Sequence, residues 1–243
     1  MQTALIFGAG GQDGHYLSAL CRQRGIKPVC ASRSPGPWLQ CDVADYERVE
    51  DLVRSHQPAF IFHFAANSTT CHAALFENHA AISTGTLNIL ESARRHAPQA
   101  RIFLPGSGVQ FTNQERPISE RDPFAASSPY ALARIHSIYA GRYYRGLGLR
   151  VFAGYLFHHE SPLRKRTHVS KLIAEAARRI AGGSNEVIEL GDITVEKEWT
   201  YAGDVVEGIF GRMDFDQRHL VSPSAAEKER IHYLSDYTHF GGW

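Results

Sequence analysis

The sequence predicts an α/β fold, a doubly wound parallel sheet with helices on both faces, followed by a small C-terminal lobe. Three observations carry that expectation. Short apolar runs alternate with amphipathic helical stretches as far as about residue 155, a glycine loop joins the first run to the first helix, and glycine or proline stops stand where helices should end. A chain of 243 residues, 43% of them hydrophobic, can bury a core sufficient for one such domain and an appendage.

In chain order, the expected strands are 2–7, 27–32, 59–64, 101–105 and 149–155, with helices at 12–25, 46–56, 73–96 and 128–146. Gly25 is placed to end the first helix, and Pro58 and Pro98 follow the second and third at the expected distance. Beyond 156 the regularity fades. A polar loop containing Glu160-Ser-Pro-Leu-Arg-Lys-Arg166 precedes a helix at about 168–181, a strand at Val187–Leu190, and a helix from about 203. The tail after Met213 is polar and weakly periodic, and its pattern specifies no fold. The regular alternation thus sets off a first domain, 1–155, from an appended lobe, 156–243.

Charge and cysteine usage exclude several function classes. With 26 Lys and Arg against 25 Asp and Glu, the formal net charge of +1 offers no global field for nucleic acid or an anionic membrane, so any anion site must be local. Apolar runs such as 59–63 fall far short of the roughly 20 residues that cross a bilayer, and no secretory signal is apparent before the first strand. A cytoplasmic location is expected. Cys21, Cys30, Cys41 and Cys71 lack paired spacing, which argues against a zinc site or a disulfide framework.

The first strand runs into Gly8-Ala-Gly-Gly-Gln-Asp-Gly14, and the helical pattern Tyr16, Leu17, Leu20, Cys21 follows. Glycine at 8, 11 and 14 permits a tight turn, close approach of backbone to a pyrophosphate, and close packing of helix on strand. This is the context of a Rossmann-type dinucleotide turn. A merely glycine-rich turn is the plain alternative. After the second strand, Ala31-Ser32-Arg33-Ser34 carries no acid, and an arginine there suits the 2′-phosphate of NADP, although Arg33 could instead be a solvated surface residue. Ala65 and Ala66, at the end of the third long strand, are small enough to let a nicotinamide ribose approach. Asn67-Ser68-Thr69 matches a glycosylation sequon, a match without weight in a chain showing no secretory signal.

Ser128-Pro-Tyr130-Ala-Leu-Ala-Arg134 puts a phenol and a cation four residues apart on one helix face, an arrangement that favours a tyrosinate able to act as general base. A buried structural tyrosine is the alternative.

The glycine spacing and the tyrosine site together resemble the extended short-chain dehydrogenase/reductase superfamily. Its tyrosine-x-x-x-lysine pair here has Arg134 in place of the lysine. A guanidinium preserves the electrostatic effect on Tyr130 but stays protonated, which puts a lysine-type proton relay in question. By the same resemblance Asp42 and Val43 match the pair that contacts adenine, with Asp42 as a helix N-cap the alternative. Ala65, Ala66 and Ser68 fall in the alanine-rich strand-end motif. The superfamily's catalytic hydroxyl fits Ser107, four residues before Phe111, although an ungapped count back from Tyr130 reaches Gly106. A serine in a glycine turn is the plain reading of Ser107.

Three strings narrow the likeness: Gly11-Gln-Asp-Gly14, Phe157-His-His-Glu-Ser-Pro162, and Ile188-Glu-Leu-Gly-Asp-Ile193 with Lys197-Glu-Trp-Thr-Tyr-Ala-Gly-Asp204. Over residues 1 to about 212 they resemble the GDP-mannose 4,6-dehydratase family. That resemblance implies NADP held by the glycine loop with Gln12 and Asp13, and by His159 and Arg164. His158 stands at the sugar in place of an asparagine. Lys171 and Lys197 stand where arginines face the nucleotide diphosphate. Read without the resemblance, His158-His159-Glu160 could suggest a metal, but adjacent histidines on an extended loop point apart and no HExxH helix supports them. Likewise Arg164-Lys165-Arg166 could be a solvated face, though beside a diphosphate site it reads better as anion-binding.

The implied reaction on a GDP-hexose such as GDP-mannose oxidises C4, removes the C5 proton, expels the C6 hydroxyl as water and returns hydride to C6. It therefore needs a C5 base. The family's glutamate two residues after the catalytic hydroxyl corresponds to Val109 here, or to Gly108 if Gly106 takes the hydroxyl's place. That loss keeps two alternatives open, an NADPH-dependent reductase of a 4-keto-6-deoxy-sugar nucleotide and a non-catalytic NADP-binding relative. The resemblance also implies a longer substrate lobe than residues 205–243 provide. Expected partners are a nucleotide-sugar substrate and further copies of the chain in a homo-oligomer, with neither nucleic acid nor membrane.

Overall fold

A computed structural model describes residues 1–113, 117–166, 168–191, 193–194, 198–218 and 231–233, and for 214–218 and 231–233 only the backbone. The elements alternate as the sequence predicts: β1 (Thr3–Phe7), α1 (Gln12–Gln23), β2 (Lys27–Ser32), β3 (Leu39–Gln40), α2 (Tyr46–His56) and β4 (Phe60–His63). After α3 (Leu75–Asn78) and α4 (Gly85–His96) come β5 (Arg101–Ser107), α5 (Pro129–Gly146), β6 (Arg150–Leu156) and β7 (His159–Glu160). Then follow α6 (Val169–Ala181), β8 (Thr200–Tyr201), α7 (Ala202–Arg218) and β9 (Ile231–Tyr233). The main sheet has the order β3-β2-β1-β4-β5-β6-β9 with every pairing parallel, and β7 and β8 form a separate two-stranded ribbon.

Two apolar layers hold helices to the two sheet faces. On one, Leu5, Phe7, Val29, Ile61, Ile102 and Leu104 pack against Val49, Val53, Ile89 and Leu90 of α2 and α4 and Tyr144 of α5. On the other, Ile6, Phe60, Phe62 and Phe103 pack against Leu17 and Cys21 of α1 and Ile209, Phe210 and Met213 of α7. Strands buried on both sides require apolar residues at successive positions, which is why β1 and β4 read as continuous runs.

Local chemistry fixes the helix ends nearest the site. Gly11 caps α1, Asp13 lies in its first turn where a carboxylate meets the helix dipole favourably, and Gly25 follows its end with φ +70°. Ser128 caps α5, its hydroxyl accepting from Ala131 N at 3.1 Å, with Pro129 opening the helix.

Three readings are corrected, and the tail gains an element. The strand at Val187–Leu190 does not form: Val187 is 87% exposed and the segment pairs with no strand among the described residues, whereas the lobe's short ribbon uses His159–Glu160 and Thr200–Tyr201. The single helix expected at 73–96 is instead a 3₁₀ turn at His72–Ala74, α3, a π turn at His79–Thr84, then α4. A π turn accommodates an extra residue within a helical path, and here it keeps Ile82 and Ser83 buried. Asp42 does not cap α2: Asp45 does, accepting from Arg48 N at 3.2 Å, while Asp42 accepts from Ala44 N at 3.0 Å in the preceding turn. The tail, for which the pattern specified nothing, adds β9 beside β6.

Candidate functional site

The carboxyl ends of β1, β2, β4, β5 and β6 share one edge of the sheet, and the strand order reverses between β1 and β4. In open α/β sheets ligands bind at such a crevice. Most of the sequence-selected residues lie along it.

The glycine loop leaves β1 here. Gly8 has φ +86°, and a Cβ on it would collide with the backbone of Phe64 and Ala65, so the loop lies directly against the end of β4. A Cβ on Gly14 would run into Gly8 O and Ala9, which fixes the close seating of α1 on the loop. Gly11, the cap itself, has no side-chain oxygen to offer the first amides of α1, which leaves them free of a side-chain cap as an anion site would require. The loop thus fits a pyrophosphate.

Across the crevice, residues after β6 bind the first turn of α1. Gln12 Nε2 donates to His159 O at 3.2 Å, and Ser161 Oγ donates to Gln12 Oε1 at 2.9 Å. His159 Nε2 meets Asp13 Oδ1 at 3.0 Å, and its Nδ1 meets Phe157 O at 2.7 Å. Burial alone would lower the pKa of His159, but the hydrogen bond and charge of Asp13 outweigh it and leave it raised above 6.5. Arg164 completes the group, donating to His159 O at 2.6 Å and to Glu160 Oε2 at 3.2 Å. His158 turns to a different acid, Glu160 Oε1 at 2.7 Å, with its ring edge-on to Trp199. The two adjacent histidines therefore serve two separate carboxylates.

On the β2 side, Arg33 is neither free nor buried. Its guanidinium binds Glu77 Oε1 at 2.6 Å, and Asn67 Nδ2 holds the other carboxylate oxygen at 2.7 Å. Trp38 lies beside this cluster against Gly10 and Gly36, donating its indole N–H to Ser34 O at 2.6 Å. Glu77 and Trp38 were not legible as site residues, because nothing in their local pattern marks them, and Asn67, though it lies within the strand-end motif, has a partner that only the fold brings near. Asp42 sits in the turn after β3, and Val43 is buried with its carbonyl accepting from Asn88 Nδ2 at 2.9 Å. Ala65 and Ala66 are half-buried at the end of β4, and Ser68 is exposed beyond them.

Tyr130 stands in the first turn of α5, half-buried. Arg134, almost fully buried, lies over its ring at 5.0 Å from the centroid and donates to Pro105 O at 2.9 Å. Arginine thereby ties the tyrosine's helix to the end of β5. Beneath it, His63 is fully buried, and burial together with the charge of Arg134 pushes its pKa down to about 3. Ser107 ends β5 and forms a reciprocal capping pair with Gln110, whose side chain accepts from Ser107 N at 2.8 Å. Of the two positions offered for the family hydroxyl, only 107 has room for one: a Cβ on Gly106 would enter the ring of Tyr155. Val109, two residues on, is 46% exposed.

Lys171 stands apart from these groups, its Nζ bound to Pro162 O at 2.9 Å and 3.8 Å from Glu175. Lys197 lies outside the described residues. A shallow recess beside His158 is lined by Tyr155, Phe157, Glu198, Thr200 and Val205, and burial raises the pKa of Glu198 there.

Residues 5–227 match the family model for GDP-mannose 4,6 dehydratase. A GDP-mannose 4,6-dehydratase of Sinorhizobium fredii is 30% identical over 239 residues, covering 86% of this chain and 67% of that protein. GDP-mannose 4,6 dehydratase 2 of Arabidopsis thaliana is 28% identical over 238 residues, covering 86% of this chain and 64% of its own length. The chain thus spans about two thirds of the length of these relatives. Among solved structures, a dTDP-glucose 4,6-dehydratase from Bacillus anthracis in complex with NAD superposes with a TM-score of 0.78 at 15% identity, covering 96% of this chain and 75% of that one. A UDP-glucose 4-epimerase from Thermus thermophilus in complex with NAD gives 0.73 at 20% identity, covering 96% and 77%.

Proposed function

The chain belongs to the GDP-mannose 4,6-dehydratase family, and from that premise we propose that it is an NADP-dependent 4,6-dehydratase of a GDP-hexose such as GDP-mannose. The observation that carries this reading is the placement of Tyr130, under Arg134 and at the same sheet edge as the glycine loop. The nicotinamide dinucleotide, when bound, supplies the hydride acceptor and donor. Its pyrophosphate fits the Gly8–Gly14 loop and the amides of α1. Gln12, Asp13, His159 and Arg164 close one side of that site, and Asp42, Val43, Ala65, Ala66 and Ser68 line the other. Arg33 is the partner for a 2′-phosphate.

Tyr130 takes the proton of the C4 hydroxyl, and Ser107 hydrogen-bonds the same oxygen. Arg134 is a positioning residue, since its hydrogen bond to Pro105 O fixes α5 against the end of β5. His158 faces the sugar, and Lys171, by exchanging its contact with Pro162, answers the diphosphate together with Lys197. The division into a nucleotide-binding domain, 1–155, and a substrate lobe, 156–243, follows the end of β6 at Leu156.

One observation favours a second reading. The position of the family's base carries Val109, so reduction of a 4-keto-6-deoxy-sugar nucleotide, which needs no C5 base, fits the site as it stands. Incubation with GDP-mannose and NADP tests the first reading through the 4-keto-6-deoxy product. Oxidation of NADPH by that keto sugar would establish the second, and neither activity with retained dinucleotide binding would indicate a non-catalytic relative.

We also place the protein in the cytoplasm as a homo-oligomer. Among the described residues no helix is long and apolar enough to cross a membrane, and the four cysteines are free thiols, which suit a reducing compartment. Leu132, Tyr139 and Tyr143 form an exposed apolar stripe along α5 at helical spacing, a surface for a second copy.

A further inference from the structure

The end of β2 carries Arg33 and no acid of its own, the pattern that suits NADP. The fold supplies one from elsewhere. Glu77, in α3 and 44 residues away in sequence, places Oε1 2.6 Å from the guanidinium of Arg33. The sheet order puts β1 between β2 and β4, so this pair reaches from the β2 end to the segment after β4, across the end of β1 from which the glycine loop departs. It spans the mouth of the nucleotide crevice.

Two acceptors are then in competition for one arginine. An acid at this edge accepts from a ribose 2′-hydroxyl, whereas an arginine answers a 2′-phosphate. Here both are present and bound to each other. Glu77 is not a loose surface acid, because Asn67 Nδ2 fixes its second oxygen at 2.7 Å and so aims the first at Arg33. The Arg33 and Glu77 side chains keep 61% and 40% of their exposure, so a ligand can reach either.

We propose that Glu77 sets the choice between 2′-phosphorylated and 2′-hydroxylated nicotinamide dinucleotides, by holding Arg33 in an ion pair that a 2′-phosphate must displace. This deepens the cofactor reading and rests on it. A phosphate entering the pair gains Arg33 but meets the carboxylate of Glu77 as a like charge. A 2′-hydroxyl entering it displaces nothing and offers its proton to Glu77. The wild-type chain therefore discriminates less between the two dinucleotides than Arg33 alone would impose.

Titration of the intrinsic tryptophan fluorescence with NADP and with NAD tests this, since Trp38 lies against Gly10 of the loop. Glu77→Gln retains the hydrogen-bonding shape but removes the charge. It should raise the ratio of NADP to NAD affinity about two- to fivefold, through tighter NADP and weaker or equal NAD, consistent with an exposed pair worth up to about 1 kcal/mol. Asn67→Ala, which frees the carboxylate without removing it, should move the ratio in the same direction by less. An unchanged or lowered ratio in Glu77→Gln, or a parallel gain for both dinucleotides, would overturn the assignment. If Glu77→Gln fails to fold, an unchanged or lowered ratio in Asn67→Ala would overturn it alone. Binding of neither dinucleotide to the wild type would instead defeat the cofactor reading beneath it.

Discussion

Asp13 and His159, 146 residues apart in sequence, meet at 3.0 Å and join the first turn of α1 to the segment after β6. The pair closes the nucleotide crevice from the lobe side. It also makes stability depend on pH in a defined direction. Because the pKa of His159 is raised above 6.5 in the folded chain, its contribution is fully present below that ordinary value and is lost as pH rises through the folded value. Asp13→Asn should therefore lower Tm more at pH 6 than at pH 8.5, as read by thermal denaturation. An equal loss at both would contradict the ion pair.

His63 should act with the opposite sign. It is neutral when folded, with a pKa of about 3 against an ordinary 6.5, so the unfolded chain binds the proton first and stability is lost as pH falls from 6.5 towards 3. The slope approaches about 1.4 kcal/mol per pH unit within that window. His63→Leu, which cannot titrate and forgoes only a 3.5 Å contact with Ile82 O, should flatten the acid limb of Tm against pH relative to wild type. Parallel limbs would rule out a folded imidazole held neutral.

Tyr130→Phe retains the ring beneath Arg134 and removes only the phenol oxygen. Dinucleotide affinity should be unchanged while turnover falls by roughly 10²–10⁴, the usual range for an acid–base group. Weakened dinucleotide binding with turnover preserved would assign the tyrosine to the cofactor alone.

Val109→Glu restores a carboxylate at an exposed position two residues past Ser107. If the missing base limits elimination, the variant should dehydrate GDP-mannose about 10²-fold faster than wild type. No gain, in a variant that still binds dinucleotide, would show that another group performs this step or that elimination is not the reaction.

The parts of the site that the sequence made legible are those built from neighbouring residues. Gly8 and Gly14 could be read because each is demanded by a contact within a few residues or at the adjoining strand end. Tyr130 and Arg134 could be paired because four residues on a helix share a face. What Arg134 does was not legible, since its acceptor, Pro105 O, lies on β5, 29 residues away in sequence. Nor was the pairing of Arg33 with Glu77, which depends on β1 lying between β2 and β4 and on the turn that carries Glu77 to the crevice. The expected strand at Val187–Leu190 failed for a related reason: its apolar residues suit a strand, but Val187 and Leu190 stay exposed and no strand among the described residues pairs with them.

The stripe on α5 predicts association. Light scattering should show wild type larger than a monomer, and Leu132→Glu with Tyr143→Glu, which places two charges on that face, should shift it to one chain. A monomeric wild type would remove α5 as an interface.

The central claim, a GDP-hexose 4,6-dehydratase, is tested most directly by isotope transfer. GDP-mannose deuterated at C4 is incubated with the protein and NADP, and the product is analysed by mass spectrometry and NMR. The account predicts a 4-keto-6-deoxy sugar that has lost water and carries the deuterium at C6. Recovery of unchanged GDP-mannose, from protein shown to bind the dinucleotide, would contradict it.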